Sequence, residues 1–84
     1  MQFRIAPIQI IHGRDTYITQ VVSDREDGFI GLELIIDKAD EPYCVAKVIY
    51  WDAMGQYYVE TCKDIPVLVL EQLIAETKRV VGIT

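Results

Sequence analysis

The chain has 84 residues, 51% of them hydrophobic, and carries eight Lys and Arg against thirteen Asp and Glu for a net charge of −5. That length predicts a single domain, 1–84, small enough to be marginal alone, and a mean hydropathy of +0.19 is high for it, so some apolar surface is expected to lie against a partner. The acidic balance opposes phosphate-driven nucleic-acid binding, which needs Lys and Arg on the phosphates, and disfavours anionic membranes for the same reason. Met1 to Ile11 is interrupted by Arg4, Pro7 and Gln9 and does not read as a signal peptide. No apolar run approaches the ~20 residues of a membrane helix, and the expected compartment is the cytoplasm.

The segment QFRIAPIQIIHGRDTYITQVV reads as two strands joined at His12–Arg14. Gly13 is the natural turn residue, and a Gly13-Arg14 loop sets His12 opposite Asp15. Pro7 donates no ladder hydrogen bond, which places the first strand at a sheet edge or bends it there. Alternation puts Ala6, Ile8, Ile10, Tyr17 and Val21 on one side, with Phe3, Ile5, Ile11, Ile18 and Val22 on the other. SDREDG is a charged loop ending in Gly28. In FIGLELIID, Ile30, Leu32, Leu34 and Ile36 point one way, and Glu33, Ile35 and Asp37 the other. KADEP breaks that strand at Pro42.

YCVAKVIYW and QYYVETC flank Asp52-Ala53-Met54-Gly55. Asp first and Gly fourth suit a type I turn with Gly55 left-handed, predicting a three-residue loop closed by a glycine bulge. That register pairs Asp52 with Gln56, Trp51 with Tyr57, and Tyr50 with Tyr58. DIPVLVLEQLIAETKRVVG reads as a helix with Pro66 in its first turn, Asp64 at the positive dipole end, Lys78 and Arg79 at the negative end and Gly82 as its stop. Its predicted apolar stripe is Val67, Leu70, Leu73, Ile74, Thr77 and Val81. The expected fold is α+β: an antiparallel sheet of about five strands, joined as a hairpin-linked meander, followed by one C-terminal amphipathic helix packed on one face.

Five strands at about 4.8 Å spacing make a sheet roughly 24 Å across, and one helix is only about 10–12 Å wide. One sheet face is therefore expected to remain open, and a second copy of the chain would cover it, most simply as a two-fold dimer. Cys44, Ala46 and Cys62 are small enough to let a helix approach, which assigns the Tyr50 and Tyr58 face to the helix. Tyr50, Tyr58 and Glu60 are then the candidates to line a ligand pocket. Trp51, Tyr57, Ile49 and Val59, with Lys47 toward the rim, form the expected interaction surface, since Trp and Tyr are enriched among binding hot spots.

The chemistry-bearing residues are few. His12 beside Asp15 has the makings of a base and its orienter, but no nucleophile adjoins it and a turn tip is wet, so it reads as a surface residue. Cys44 and Cys62 fall diagonally across the predicted hairpin, beyond normal disulfide reach, although a five-residue loop would set them directly opposite and permit a bridge; they read as inert thiols. Two Cys and one His do not close a zinc site within one chain. Asp24, Glu26 and Asp27 before Gly28 miss the EF-hand spacing. Neither a cofactor nor a metal is expected. The leading expectation is a small acidic non-enzymatic interaction protein that self-associates and binds or inhibits another protein. The alternatives are a small-molecule binder with an aromatic-lined pocket at the sheet–helix or dimer seam, and a sheet-based single-strand nucleic-acid binder, which the charge disfavours. A mimic of nucleic-acid charge and an enzyme rank below these.

Overall fold

A computed structural model describes residues 7–37 and 43–82. They form a five-stranded antiparallel sheet in the order β1-β2-β3-β4-β5, with β1 Gln9–His12, β2 Asp15–Asp24, β3 Phe29–Ile36, β4 Tyr43–Trp51 and β5 Gln56–Thr61, followed by one helix, α1 Val67–Val81. The α+β meander read from the sequence is therefore the observed fold. Ala6, Phe3, Ile5 and Lys38 to Pro42 lie outside the described residues.

The first hairpin turns at Gly13, φ +61°, with His12 opposite Asp15. Pro7 precedes the edge strand β1. Beyond the ladder, the Thr19 amide donates to the Ile8 carbonyl at 3.1 Å and the Ile8 amide donates to the Thr19 hydroxyl at 3.0 Å. The two remaining tight connections share one design. Arg25 to Gly28 and Asp52 to Gly55 each close four residues, and each ends in a left-handed glycine, φ +74° and +65°. The glycine amide donates back to the strand end, Gly28 to Asp24 at 2.8 Å and Gly55 to Trp51 at 2.8 Å. In the first of these loops the Asp24 carboxylate also accepts the amides of Glu26 and Asp27.

The second loop corrects the predicted register. Gly55 is left-handed as expected, but the loop holds four residues rather than three. Trp51 pairs with Gln56, Tyr50 with Tyr57, Ile49 with Tyr58, and Val48 with Val59. Because side chains alternate, a slip of one residue turns all of β5 over relative to β4.

One sheet face carries the core. Ile10, Tyr17, Leu32, Leu34 and Val48 are buried there against Val69 and Leu73 of α1. A β-bulge between Leu34 and Ile35 leaves Val45 without a partner on β3, and both Val45 and Ala46 enter the core. Cys44 then falls opposite Ile35, on the far face. It does not give the helix room, as the sequence had suggested.

The helix begins after Pro66, which stands at the cap rather than inside the first turn and whose carbonyl accepts the amides of Val69 and Leu70. Asp64 lies before the cap, and the first turn has no acidic residue. Lys78 and Arg79 occupy the last turn, and Gly82 ends the helix at φ 75°, donating to the Lys78 carbonyl at 3.0 Å. The buried stripe is Val69, Leu73 and Thr77, with Leu70, Ile74 and Val80 at its sides. It is rotated from the predicted one: Val67 is 68% exposed. Thr77 is tolerated at zero exposure because its hydroxyl donates to the Leu73 carbonyl at 2.7 Å.

Candidate functional site

The helix leaves the other face of the sheet open, and the register sorts that face into rows that run across the strands. Asp24, Phe29, Trp51 and Gln56 make the row nearest the two four-residue loops. Val22, Gly31, Ile49 and Tyr58 make the next. The third is polar: Gln20, Glu33, Lys47 and Glu60. Beyond it Ile18, Ile35 and Cys44 return to apolar character.

The loop end of this face is aromatic and aliphatic. The Phe29 and Trp51 rings meet at a centroid distance of 4.9 Å with 52° between their planes, a tilted arrangement that suits the ring quadrupoles. Gly31 supplies no side chain, and Ile49 closes over it, leaving Ile49 only 9% exposed although α1 packs on the opposite face. Tyr58 stands on the edge strand and is 40% exposed. In the polar row, Glu33 faces Lys47 and Lys47 faces Glu60, so charge alternates along it. Opposite charges directly across a ladder are favourable, and like charges there are not.

Of the residues singled out as an interaction surface, the open face holds Trp51, Ile49 and Lys47. It does not hold Tyr57 and Val59. These sit on the helix side opposite Tyr50 and Val48, where Tyr57 packs against the core. The Tyr57 ring meets that of Tyr50 edge-on at 5.1 Å, and the Lys78 ammonium lies 5.8 Å from its centroid. The residues singled out to line a ligand pocket are divided in the same way. Tyr50 is on the helix side, whereas Tyr58 and Glu60 are on the open face. The structure does not bring those three together. Phe29 and Glu33 complete the open face and were not singled out as site residues; their alignment with Trp51 and Lys47 depends on the β3–β4 register.

The remaining candidates are separate from this face or at its edge. His12 is exposed at the first turn. Cys44 and Cys62 are free thiols. Burial first, and Glu33 second, push the Cys44 thiol above its ordinary range, which keeps it protonated and poorly nucleophilic. Its Sγ–H donates to the Ala46 carbonyl at 3.4 Å. Among the described residues no group of three or more His, Cys, Asp or Glu could hold a metal, and no helix is long and apolar enough to cross a membrane. An open cleft of about 410 Å³ lies where the two four-residue loops meet, with Asp24, Arg25 and Asp52 in its lining. Comparison with protein families, curated proteins and solved structures gives no match to this chain.

Proposed function

We propose that this chain is a non-enzymatic interaction protein that self-associates through the open face of its sheet and binds or inhibits another protein. The observation that carries the reading is the Phe29–Trp51 pair, set beside Ile49 and Tyr58 on the sheet face that α1 does not cover. A Trp packed on Phe29, with Ile49 and Tyr58 in the next row, is the composition of an interface anchor. Glu33, Lys47 and Glu60 form one row, Asp24 is the charge in the Phe29–Trp51 row, and neither aromatic row carries Lys or Arg, which suits protein contact better than a phosphate backbone. The chain's one histidine, exposed at a turn, offers no companion nucleophile in sequence, and this supports a role outside catalysis. Small-molecule binding at a Tyr50–Tyr58–Glu60 pocket is less well supported, because those side chains lie on opposite faces.

Light scattering across a dilution series tests the reading. The parent chain should show concentration-dependent association. Trp51→Ala should weaken it by about 2 kcal/mol, roughly thirtyfold in Kd, with unchanged circular dichroism. A parent chain that stays monomeric at every concentration would remove self-association from the proposal.

A further inference from the structure

Resting on the self-association reading above, we infer that the second copy packs on the open face about a two-fold axis parallel to the strands and midway between β3 and β4, so that Glu33 of each copy meets Lys47 of the other.

The polar row selects this axis. Along Gln20, Glu33, Lys47 and Glu60 the charge runs neutral, negative, positive, negative. Two copies packed face to face are related by an axis lying between the sheets, and an aligned packing places it near the strand direction or near the row direction. An axis along the polar row sets each of its positions over its own copy, so that Lys47 faces Lys47, and an axis displaced to a neighbouring row sets Lys47 over Ile49, Trp51 or Cys44 and leaves it without an acid. An axis along the strands but through β3 sets Glu33 over Glu33, and one through β4 sets Lys47 over Lys47. An axis between β4 and β5 pairs Lys47 with Glu60 but overlaps only two strands of each copy. An axis between β2 and β3 meets Glu33 with Gln20 and leaves Lys47 without an acid. Midway between β3 and β4, both Glu33–Lys47 contacts form and four strands of each copy overlap.

The apolar rows fit the same axis. Phe29 of one copy comes to Trp51 of the other, and Val22 comes to Tyr58. Gly31 and Ile49 flank the axis, and because each Ile49 lies over the Gly31 of its own chain, the two Ile49 side chains meet there. The division of labour follows from general energetics. Desolvation offsets most of what an interfacial ion pair adds to affinity, whereas a like-charge juxtaposition is strongly unfavourable. The aromatic and aliphatic rows therefore supply the affinity, and the charged row fixes the orientation.

Charge reversal tests the axis. Glu33→Lys alone, or Lys47→Glu alone, places like charges together in a homodimer, and each should weaken association roughly a hundredfold. An equimolar mixture of the two variants should associate about as tightly as the parent, because each reversed residue then meets an opposite charge on the other chain. Sedimentation of the parent, each variant and the mixture reads this directly. A parent that associates alongside a mixture that does not recover would overturn the axis and leave self-association standing. A parent that is monomeric throughout would remove both. If a reversed charge unfolds the chain, the unaltered protein still decides. Val22 and Tyr58 lie three strand spacings apart within one chain, about 14 Å, so a filtered nuclear Overhauser contact between them in a mixed-labelled dimer can arise only between copies. Its absence from a confirmed dimer would overturn the axis.

Discussion

Ile49 lies across Gly31 with no space between them. A Cβ on Gly31 would fall 2.8 Å from the Ile49 Cγ2, 2.7 Å from the Ile49 Cα and 2.0 Å from the Val48 carbonyl oxygen. Two of those three atoms are backbone in the neighbouring strand, so no rotamer change relieves the overlap. Gly31→Ala should therefore destabilise the fold by about 2 kcal/mol or more, in the range of forced overpacking. Urea denaturation measures it. A midpoint equal to the parent's would mean that β3 and β4 separate at little cost.

Two buried threonines make opposite demands. The Thr19 hydroxyl is the acceptor for the Ile8 amide at 3.0 Å, and Thr19 is 2% exposed. Thr19→Val keeps the shape but strands that amide, which should cost about 1–3 kcal/mol. The Thr77 hydroxyl instead donates to the Leu73 carbonyl at 2.7 Å, which lies four residues back in the helix and already serves the backbone ladder. Thr77→Val should cost less than about 1 kcal/mol. Thermal unfolding of both variants checks the contrast, and equal losses would contradict it.

The strand order, the first turn and the core face of β3 were legible because local signals agree there. Gly13 needs its positive φ, Pro7 suits an edge, and Ile30, Leu32, Leu34 and Ile36 alternate cleanly with Glu33 and Ile35. The faces of β5 were not legible from the loop. A left-handed Gly55 serves a three-residue and a four-residue loop equally well, yet the two differ by one residue of register and so by a whole face. The missing signal lay in the strand itself. Gln56 and Glu60 fall on the same side as Tyr58, and Glu60 then sits opposite Lys47, whereas the predicted register turned Glu60 toward the helix. The helix phase was misread for a related reason. Apolar residues run continuously over 67–70, so periodicity does not choose between Val67 and Val69, and only docking against the sheet does.

Gly55 remains a sensitive position under the corrected register. A Cβ there would meet nothing nearer than the Tyr50 hydroxyl at 3.9 Å, so the constraint is its φ of +65° rather than space. Gly55→Val should lose about 1–3 kcal/mol, because a β-branched residue is strained in the left-handed region. Gly55→Asn should lose clearly less, since Asn tolerates that conformation. Melting temperatures of the two variants decide it. Equal melting temperatures would show that the loop relaxes to another turn.

Tyr17 should give the fold an alkaline limit. It is 4% exposed in the core face, and burial first, then the charges of Asp15 and Tyr43, raises its phenol above the ordinary value of 10.0. The ionised form is the one the fold disfavours. Well below pH 10.0 the phenol is protonated in both folded and unfolded chains, and its contribution is fully present. Above that value the unfolded chain releases its proton first, so stability falls as pH rises and continues to fall until the pH passes the raised folded value. Urea midpoints measured between about pH 9 and pH 11 should therefore decline more steeply for the parent than for Tyr17→Phe, which has no proton to lose at that position. Taking the difference between the two chains removes the titration they share. Parallel declines would mean that Tyr17 gains solvent before it ionises, and that the β1 end of the core opens locally while the rest of the sheet holds.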